Sequence, residues 1–446
     1  MKKVLIVTYY FPPSGGPGVQ RVLKFAKYLP QFGWEPVILT VENGDYPARD
    51  ESLLNEIPSS LKIYRTKIFE PYSLYRALTG KQSGVAVDVN NIPKKGERKK
   101  ISEAIAESIR STLFIPDARI GWLATAVKEG KKIIEREDVR MMYSSSPPYT
   151  CALIARALHR AKKIPWVAGF RDPWTGFLSA PKRWFLPAAI DKHLERSCFK
   201  EASRIEVAWN GICTDIRRKY PDIPSEKIEY LPNGFDSADF PSAGRPRNDK
   251  FTVTYTGSMY GVRNPKTFFE AVITLVNAGK VDVKKIRLRF IGRFGAEVLA
   301  MFRQPIISEC VEVVSYLPHA ESIRALVASD ALLLVVDEFE GHNDIVPGKV
   351  FEYLGASRPI IAVAPEGAAS ALLRETGSGK SALHHDIAAI ENIFLEYYND
   401  YLYTNNSLQS EESARTYQPN TEVISHYERK EVTKRLADIF NELVPF

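Results

Sequence analysis

Cysteine and histidine are scarce in this chain, and the patterns in which they hold metals are missing. The 446 residues include four cysteines and seven histidines. The cysteines stand far apart, without a C-x-x-C pair, at Cys151, Cys198, Cys213 and Cys310. This spacing predicts reduced thiols in a cytoplasmic protein rather than disulfides. No H-E-x-x-H, D-x-D or Cys/His cluster occurs, so the sequence predicts no metal site, and His384-His385 is expected to be an isolated surface pair.

Long apolar runs and the common phosphate-binding signatures are absent as well. No stretch approaches the roughly 20 apolar residues that span a bilayer. Pro12-Pro13 interrupt the first apolar run and no small-residue cleavage site follows, so we expect a strand there rather than a signal peptide. There is no P-loop and no G-x-S-x-G elbow. The first glycine-rich turn does not match the dinucleotide pattern G-x-G-x-x-G, because Arg21 stands where the last glycine would be.

The excess of charge of one sign is small. The net charge is +7 and the isoelectric point is about 8.9. This bias favours anionic ligands or an anionic membrane surface, and it is too diffuse to predict nucleic-acid binding. An apolar content of 45% and a charged content of 25% are typical of soluble globular proteins. The length predicts two or three domains.

Short apolar runs alternate with amphipathic runs through the first half of the chain. The predicted strands are Val4–Tyr9, Glu35–Thr40, Lys62–Thr66, Val139–Ser144 and Pro165–Phe170. The predicted helices are Gly18–Phe32, Ile101–Leu113, Trp122–Arg136 and Tyr149–Ala161, with a long exposed loop at Thr79–Lys100. This alternation implies a doubly wound parallel sheet.

The same alternation restarts after a polar linker, Ala238–Lys250. The second set of predicted strands is Phe251–Tyr255, Ile286–Ile291, Val311–Val314, Ala331–Val336 and Pro359–Ala364. The second set of predicted helices is Pro265–Asn277, Ala296–Phe302, Glu321–Ala328 and Val350–Leu354. We therefore predict an α/β protein with two Rossmann-like domains, residues 1–240 and 241–420. A charged helix is predicted in residues 421–446, and it is a candidate for packing back on the first domain.

The most informative motif is Asp344–Gly355, which reads Asp-Ile-Val-Pro-Gly-Lys-Val-Phe-Glu-Tyr-Leu-Gly. It follows the predicted strand Ala331–Val336 and leads into a predicted helix, so it places a helix N-terminus at the carboxyl edge of a parallel sheet. Backbone N–H groups and the helix dipole at such a terminus favour anionic oxygens. Lys349 adds a positive charge, and Glu352 can accept hydrogen bonds from a ribose or a sugar. The motif predicts a nucleotide-sugar site.

Polar residues also follow predicted strands in the first half. Arg171-Asp172 are interpreted either as ligand-binding groups at the sheet edge or as a structural ion pair. The hydroxyls of Ser144–Ser146 are expected to cap the next helix. Gly15-Gly16 form either a plain tight turn or a backbone approach to a phosphate, and Arg21 faces either that site or solvent.

A second glycine turn follows the predicted strand Phe251–Tyr255. Arg263 and Lys266, just after this turn, are candidates for binding a diphosphate, and Arg293 is a rival. His319 precedes a predicted helix and is a candidate for the border of a base pocket, although a lone loop histidine is more often incidental.

Together these motifs resemble those of family 4 retaining glycosyltransferases, which have the GT-B fold of two Rossmann-like domains facing a central cleft. The matching residues are Gly15-Gly16, Arg171-Asp172, Asn233–Asp236, Thr256-Gly257 and Asp344-x7-Glu352. A bacterial subgroup linked to surface polysaccharide is similar in a further set of motifs, namely Phe114–Asp117, Ser146–Pro148, Arg171–Trp174 and Val346–Lys349. The resemblance covers nearly the whole chain.

The resemblance implies a role for each matched residue. Glu352 would bind the donor ribose. Asp344, where the family usually has Glu, would contact the transferred sugar. Arg263 and Lys349 would stabilise the leaving diphosphate, with Lys266 as an alternative to Lys349. Asp172, a catalytic candidate with Arg263 and Lys349, would lie on the acceptor side, near a position where many members have His. The remaining donor-binding residues implied are Gly15, Gly16, Gly257, Val346, Pro347 and Gly348.

The predicted function is that of a retaining, metal-independent hexosyltransferase of cell-envelope polysaccharide synthesis. It would use a nucleotide-diphosphate sugar, without a cofactor, and a glycan or lipid-linked acceptor. A cationic pair and a helix N-terminus can stabilise a leaving phosphate without a metal. Two alternatives stay open: a GT-B sugar-nucleotide epimerase, and a catalytically silent GT-B binding or scaffold protein.

The segment Pro181–Pro187 interleaves basic and aromatic residues. It is interpreted either as a contact with anionic lipid headgroups or a lipid-linked acceptor, or as an ordinary loop. The first interpretation predicts a cytoplasmic protein held at the inner face of the membrane.

Overall fold

The computed structural model describes residues 1–46, 48–69, 112, 114–176, 181, 183–241, 248–261, 263–338, 346–406 and 416–445. The chain divides into two compact units. The first consists of Met1–Pro232 and Arg429–Phe446, and the second of Asn233–Glu428. The second unit thus begins before the predicted linker, and the end of the chain returns to the first unit.

The first unit is built on a parallel sheet. Within its described residues, seven strands follow the order β3-β2-β1-β4-β5-β6-β7. Their bounds are β1 Lys2–Thr8, β2 Trp34–Val41, β3 Lys62–Thr66, β4 Val139–Ser146, β5 Trp166–Phe170, β6 Arg204–Val207 and β7 Ile228–Tyr230. Ile6 of the central strand β1 lies opposite Ile38 on one side and Tyr143 on the other. All three side chains are buried, as expected for a parallel sheet covered on both faces.

Helices cover this sheet. Their bounds are α1 Pro17–Tyr28, α2 Leu123–Glu137, α3 Thr150–Lys162, α4 Phe185–Glu201, α5 Asn210–Lys219 and, from the end of the chain, α14 Arg429–Leu443. Helix α14 packs beside α1 and contributes Val432, Leu436 and Phe440 to the core that holds β1 and β2. The indole of Trp34 on β2 donates to Asn441 Oδ1 at 3.0 Å and packs edge-on against Phe440.

The second unit repeats the architecture. Within its described residues, six parallel strands follow the order β10-β9-β8-β11-β12-β13. Their bounds are β8 Phe251–Thr256, β9 Ile286–Ile291, β10 Val311–Val314, β11 Ala331–Val335, β12 Ile360–Val363 and β13 Gly379–Ala382. Alternate residues of β11 enter two different apolar clusters, Leu333 and Val335 in one and Leu332 and Leu334 in the other. Because successive side chains of a strand point to opposite faces, the two clusters lie on opposite faces of this sheet.

The helices of the second unit connect these strands. Their bounds are α6 Lys266–Asn277, α7 Ala296–Met301, α8 Ile307–Cys310, α9 His319–Val327, α10 Lys349–Ala356, α11 Ala368–Thr376, α12 Ile387–Asn406 and α13 Thr421–Ser425. The predicted single C-terminal helix is two helices, α13 and α14, because the chain turns at 426–428 before it enters the first unit. No helix among the described residues is long and apolar enough to cross a membrane.

Candidate functional site

Two glycines let the ends of β8 and β9 approach each other in the second unit. Gly257, directly after β8, has a φ of 114°, and Gly292, after β9, has a φ of 145°. The amide of Gly257 donates to Ile291 O at 2.8 Å. A Cβ atom on Gly292 would lie 2.0 Å from the carbonyl oxygen of Gly257, and one on Gly257 would lie 2.8 Å from Lys349 Nζ. Only glycine meets both the left-handed backbone and the close approach.

Helix α10 is fixed to the same edge by its buried face. Val350, Phe351 and Leu354 pack in the core, and Tyr353 is also buried. The Tyr353 hydroxyl accepts a hydrogen bond from the amide of Thr256 at 3.1 Å and donates to Leu333 O at 3.2 Å. These bonds join α10 to β8 and β11. They hold the first turn of the helix, with Lys349 and Glu352, at the carboxyl edge of the sheet.

Lys349 lies in a cage formed by the end of β8. Its ammonium donates to Tyr255 Oη at 2.6 Å and to Thr256 O at 2.8 Å. The same ammonium is 3.9 Å from the centre of the Tyr255 ring, within the range of a cation–π contact. Loss of hydration, helped by the charge of Arg263, lowers the pKa of Lys349 to about 7, while Glu352 and Asp337 oppose the shift. The lysine therefore changes its charge near neutral pH.

Arg263 forms a two-point ion pair with Asp337. Its Nε donates to Asp337 Oδ1 at 3.0 Å and a terminal nitrogen donates to Oδ2 at 2.6 Å. The side chain of Arg263 is 39% exposed, whereas that of Asp337 is buried. The guanidinium is thus anchored on one side and open to solvent on another.

Glu352 and His319 meet across two helix starts. His319 Nε2 lies 3.3 Å from Glu352 Oε1, and His319 begins α9 while Glu352 is in the first turn of α10. The structure thus brings together two residues that the sequence analysis assigned separately to a base pocket and to ribose binding.

The rival cations lie in other surroundings. Lys266 is well exposed and lies 3.8 Å from Glu270, one turn along α6. The Arg293 guanidinium lies over the ring of Tyr316.

Of the other predicted donor-binding residues, Val346, Pro347 and Gly348 directly precede α10. Asp344 lies outside the described residues.

In the first unit, the glycine turn after β1 is hydrogen-bonded within the fold. The amide of Gly15 donates to Ala48 O at 2.9 Å, and Gly16 has a φ of 101°. Two residues further on, a Cβ atom on Gly18 would lie 3.0 Å from the guanidinium of Arg171. The turn and Arg171 are therefore neighbours.

Arg171 and Asp172 follow β5 as predicted, and they differ in their surroundings. Arg171 donates to Ser145 Oγ and to Pro147 O, which ties the end of β5 to the end of β4. Asp172 is half-buried, and its loss of hydration raises its carboxyl pKa above the usual range, with Arg171 opposing.

Three expectations for individual side chains were wrong. Arg21 does not face a site or solvent: it is fully buried, paired with Glu206 and bonded to Leu231 O and Pro232 O at 2.8 and 2.9 Å. Ser144–Ser146, at the end of β4, do not cap α3; the Asp117 carboxylate does, accepting from the amide and hydroxyl of Thr150 at 3.0 and 2.8 Å. His384 is not an isolated surface residue, because its Nε2 lies 2.6 Å from Val336 O.

The described residues of the segment 181–187 are partly fixed and partly exposed. Arg183 is bonded to Asp191 Oδ2 at 2.9 Å and to the carbonyls of Phe114 and Pro116. Beyond it, four large apolar side chains at the start of α4 are exposed, those of Trp184, Phe185, Leu186 and Ile190.

Sequence reasoning missed Asp337 and Tyr255, the partners of the two cations. Asp337 follows the apolar run Ala331–Val336, which is the signal that identified Arg171, so the same rule could have found it. Tyr255 is the second-last residue of β8 and carries no such signal. Among the described residues, no three His, Cys, Asp or Glu side chains cluster as a metal site would require.

Comparison with known proteins gives one family match. Residues 72–239, less than half of the chain, match the model described as Glycosyltransferase Family 4. The search of curated proteins found no match.

Several solved structures are similar over almost the whole chain. Anabaena HepE in complex with UDP-glucose has 12% identity and a TM-score of 0.58, with 99% of this chain and 100% of that chain covered. A variant of S. aureus TarM in complex with Fondaparinux, alpha-GlcNAc-glycerol and UDP has 10% identity and a TM-score of 0.60, with 99% and 100% covered. WaaG, a glycosyltransferase involved in lipopolysaccharide biosynthesis, has 13% identity and a TM-score of 0.55, with 98% and 99% covered. The chain therefore has the GT-B fold, with two parallel-sheet α/β units, as predicted.

Proposed function

We propose that the protein is a retaining glycosyltransferase of the family 4 type that moves a hexose from a nucleotide-diphosphate sugar to a glycan or lipid-linked acceptor. The observation that carries this proposal is the pair of cations, Arg263 and Lys349, at one sheet edge beside Gly257 and the start of α10. A pair of cations at a helix N-terminus suits the two phosphates of a nucleotide sugar.

The chemistry of transfer fits this edge. As the bond between the sugar and the phosphate breaks, negative charge develops on the departing diphosphate. Preorganised cations stabilise that charge, and they do so best where water is excluded. A diphosphate beside Lys349 favours its charged form and therefore raises its pKa from about 7. The lysine is then protonated when the leaving group needs it.

The remaining roles follow the family resemblance. Glu352 would accept hydrogen bonds from the ribose hydroxyls, with His319 beside it at the border of the base pocket. Asp344 would contact the transferred sugar, and Gly257, Val346, Pro347 and Gly348 would line the donor site. In the first unit, Gly15 and Gly16 are assigned to donor binding, and Asp172 is assigned as a catalytic residue on the acceptor side. Retention would need no strong enzymic nucleophile, and the departing phosphate would help to deprotonate the acceptor. No metal would be needed, because the two cations and the helix N-terminus stabilise the leaving phosphate.

Two of the similar solved structures support the proposal. HepE is similar in fold and is known with UDP-glucose, and WaaG acts in lipopolysaccharide biosynthesis. By analogy, we place this protein in bacterial cell-envelope polysaccharide synthesis.

The decisive experiment is a donor-hydrolysis screen across nucleotide sugars, with and without EDTA, because slow hydrolysis requires no known acceptor. Release of a nucleoside diphosphate is expected, and loss of that activity on chelation would indicate a metal. A changed sugar on an intact nucleotide would point instead to an epimerase. Calorimetry with a panel of nucleotides that found no binding would favour a scaffold.

Glu352→Ala is expected to weaken binding of the nucleotide that the panel identifies, because the ribose loses its acceptor. Glu366→Ala is the matched control, since Glu366 is in the same unit in an exposed ion pair with Arg374. Equal affinity of the Glu352 variant and the wild type would remove the ribose assignment.

A peripheral contact with the inner face of an anionic membrane is also proposed. The exposed apolar side chains at the start of α4 suit the headgroup boundary; Phe185 is 80% exposed. Flotation with anionic vesicles should carry the wild type, and a Phe185→Ser, Ile190→Ser double variant should float less. Leu299→Ser, at an exposed apolar residue of the second unit, should float normally. A wild type left unbound would remove this contact.

A further inference from the structure

We propose that Asp337 is a positioning residue that holds the guanidinium of Arg263 in the orientation in which it binds the donor diphosphate. The inference rests on the proposed function and adds a residue to it. Asp337 would act through Arg263, without touching the nucleotide sugar.

Asp337 is a firm support because the backbone that leads into it is held by two hydrogen bonds. It lies two residues after the end of β11. The amide of the preceding residue, Val336, donates to Val363 O at 2.9 Å, and the Val336 carbonyl lies 2.6 Å from His384 Nε2. The carboxylate is itself buried. An acid fixed in this way presents both oxygens in one orientation.

Arg263, in contrast, is on the connection between β8 and α6. The connection contains Gly261 with a φ of 61°, and the Arg263 amide donates to Tyr260 O at 3.2 Å. A long side chain on such a connection has many rotamers of similar energy, and holding it in one of them costs entropy. The two-point bond to Asp337 fixes the guanidinium plane before a ligand arrives. Since the side chain remains 39% exposed, donors are left for an anion.

The same acid influences the second cation. Arg263 lowers the pKa of Lys349 and Asp337 raises it, so the acid offsets part of the repulsion between the two cations. Asp337 thereby allows two positive groups to occupy one edge.

The test is a double-mutant cycle measured by calorimetry. The probes are the nucleoside diphosphate that binds the wild type best, from UDP, GDP, ADP, CDP and TDP, and its monophosphate. Asp337→Asn keeps the shape of the side chain and removes the charge. We expect it to weaken diphosphate binding about fivefold and monophosphate binding less than twofold. In an Arg263→Ala background, Asp337→Asn should cause a much smaller loss of diphosphate affinity, namely the part that acts through the charge of Lys349.

The controls separate positioning from folding. Glu312→Gln removes a carboxylate that pairs with Arg289 at 2.9 Å in the same unit, and it should leave both affinities unchanged. Thermal melting checks that each variant is folded. Asp337→Glu should recover part of the diphosphate affinity.

A pH profile gives a second readout. The alkaline limb of kcat/KM for donor hydrolysis should move to lower pH in Asp337→Asn, because Lys349 loses a stabilising negative charge. It should move to higher pH in Arg263→Ala. Tyr255, Glu352, Arg263 and Asp337 are the described groups whose contact or charge acts on this ammonium.

Three results would overturn the inference: equal losses for diphosphate and monophosphate, additive effects in the cycle, or tighter diphosphate binding by Asp337→Asn. A wild type that binds no nucleotide would overturn the proposed function, and this inference with it. A wild type that binds normally, together with an additive cycle, would overturn the role of Asp337 alone.

Discussion

Each of the two sheets has cationic side chains near its carboxyl edge, and the cations of the first unit are held differently from those of the second. In the first unit, Arg21 is fully buried and its charge is balanced by Glu206. In the second unit, Arg263 is anchored by Asp337 and remains partly exposed, and the Lys349 ammonium is held by a neutral hydroxyl and a carbonyl. A cation that is completely neutralised and enclosed stabilises the fold, whereas one that keeps exposure or lacks an acid is available to an anion.

Breaking the buried pair should give the largest change in stability. Arg21→Met would leave the Glu206 carboxylate buried without its cation, and losing one partner of a buried pair costs about 3–5 kcal/mol. Denaturant unfolding should show this loss. Glu206→Gln should also be destabilising, because the buried Arg21 guanidinium cannot lose its charge when its acid is removed. A variant of Arg21 as stable as the wild type would show that the pair does not hold the first unit together.

Removing the cation of the second edge should affect turnover rather than stability. Lys349→Met removes one charge from the leaving diphosphate, and loss of a single stabilising group of this kind costs about 2.7–4 kcal/mol, or about 100–1,000-fold in kcat. The melting temperature should not fall, because the variant also removes a poorly hydrated ammonium. Lys266→Met is the matched control and should keep its turnover. A greater loss of turnover in the Lys266 variant would assign the stabilisation of the leaving diphosphate to Lys266 instead of Lys349.

Two glycines with positive φ permit a smaller and sharper comparison. Gly257→Ala combines backbone strain with a Cβ atom 2.8 Å from Lys349 Nζ, while Gly279→Ala has the strain and nothing within 4 Å. Each should lose about 1–3 kcal/mol of stability from strain. Only Gly257→Ala should also lose turnover, about tenfold, because Lys349 is displaced. Equal loss of turnover in Gly279→Ala would instead indicate that backbone strain alone, and not displacement of Lys349, lowers the activity.

The pH dependence should show the smallest effect. In the folded protein the pKa of Lys349 is lowered from 10.5 to about 7, so kcat/KM should fall as the pH rises through about 7 and the lysine loses its proton. The corresponding fall in kcat should occur at higher pH, because bound diphosphate favours the charged form of Lys349. The unfolded chain keeps the proton up to about 10.5, so the contribution of Lys349 to stability should rise between these two values. Lys349→Met should lack both effects.

Local patterns predicted much of the fold because most elements carry their own apolar run. The strands Lys62–Thr66, Ile286–Ile291 and Val311–Val314 have the predicted bounds. Several elements were missed, among them helix α4 and strand β6. Glu195 and Glu206, buried acids within them, interrupt the apolar pattern and are satisfied by distant partners such as Tyr220 and Arg21.

The residues of the candidate site also differ in how far the sequence could predict them. Lys349 and Glu352 could be placed from sequence because a strand followed by a helix start is a local signal. The pairing of Arg263 with Asp337 spans 74 residues, and that of Arg21 with Glu206 spans 185. Pairs of such separation are set by strand order, which one sequence does not display. The prediction for Arg21 was therefore wrong, and Asp337, the partner of Arg263, was not predicted.

The return of α14 to the first unit has a consequence for the order in which the protein can fold during synthesis. The core around β1 and β2 includes Val432, Leu436 and Phe440, which leave the ribosome only after the whole second unit. Domains commonly fold from the N-terminus during translation, but here the first unit must wait with an uncovered face. The second unit is one continuous segment, Asn233–Glu428, and can complete its core earlier. The half of the molecule that is made first is thus the half that is finished last.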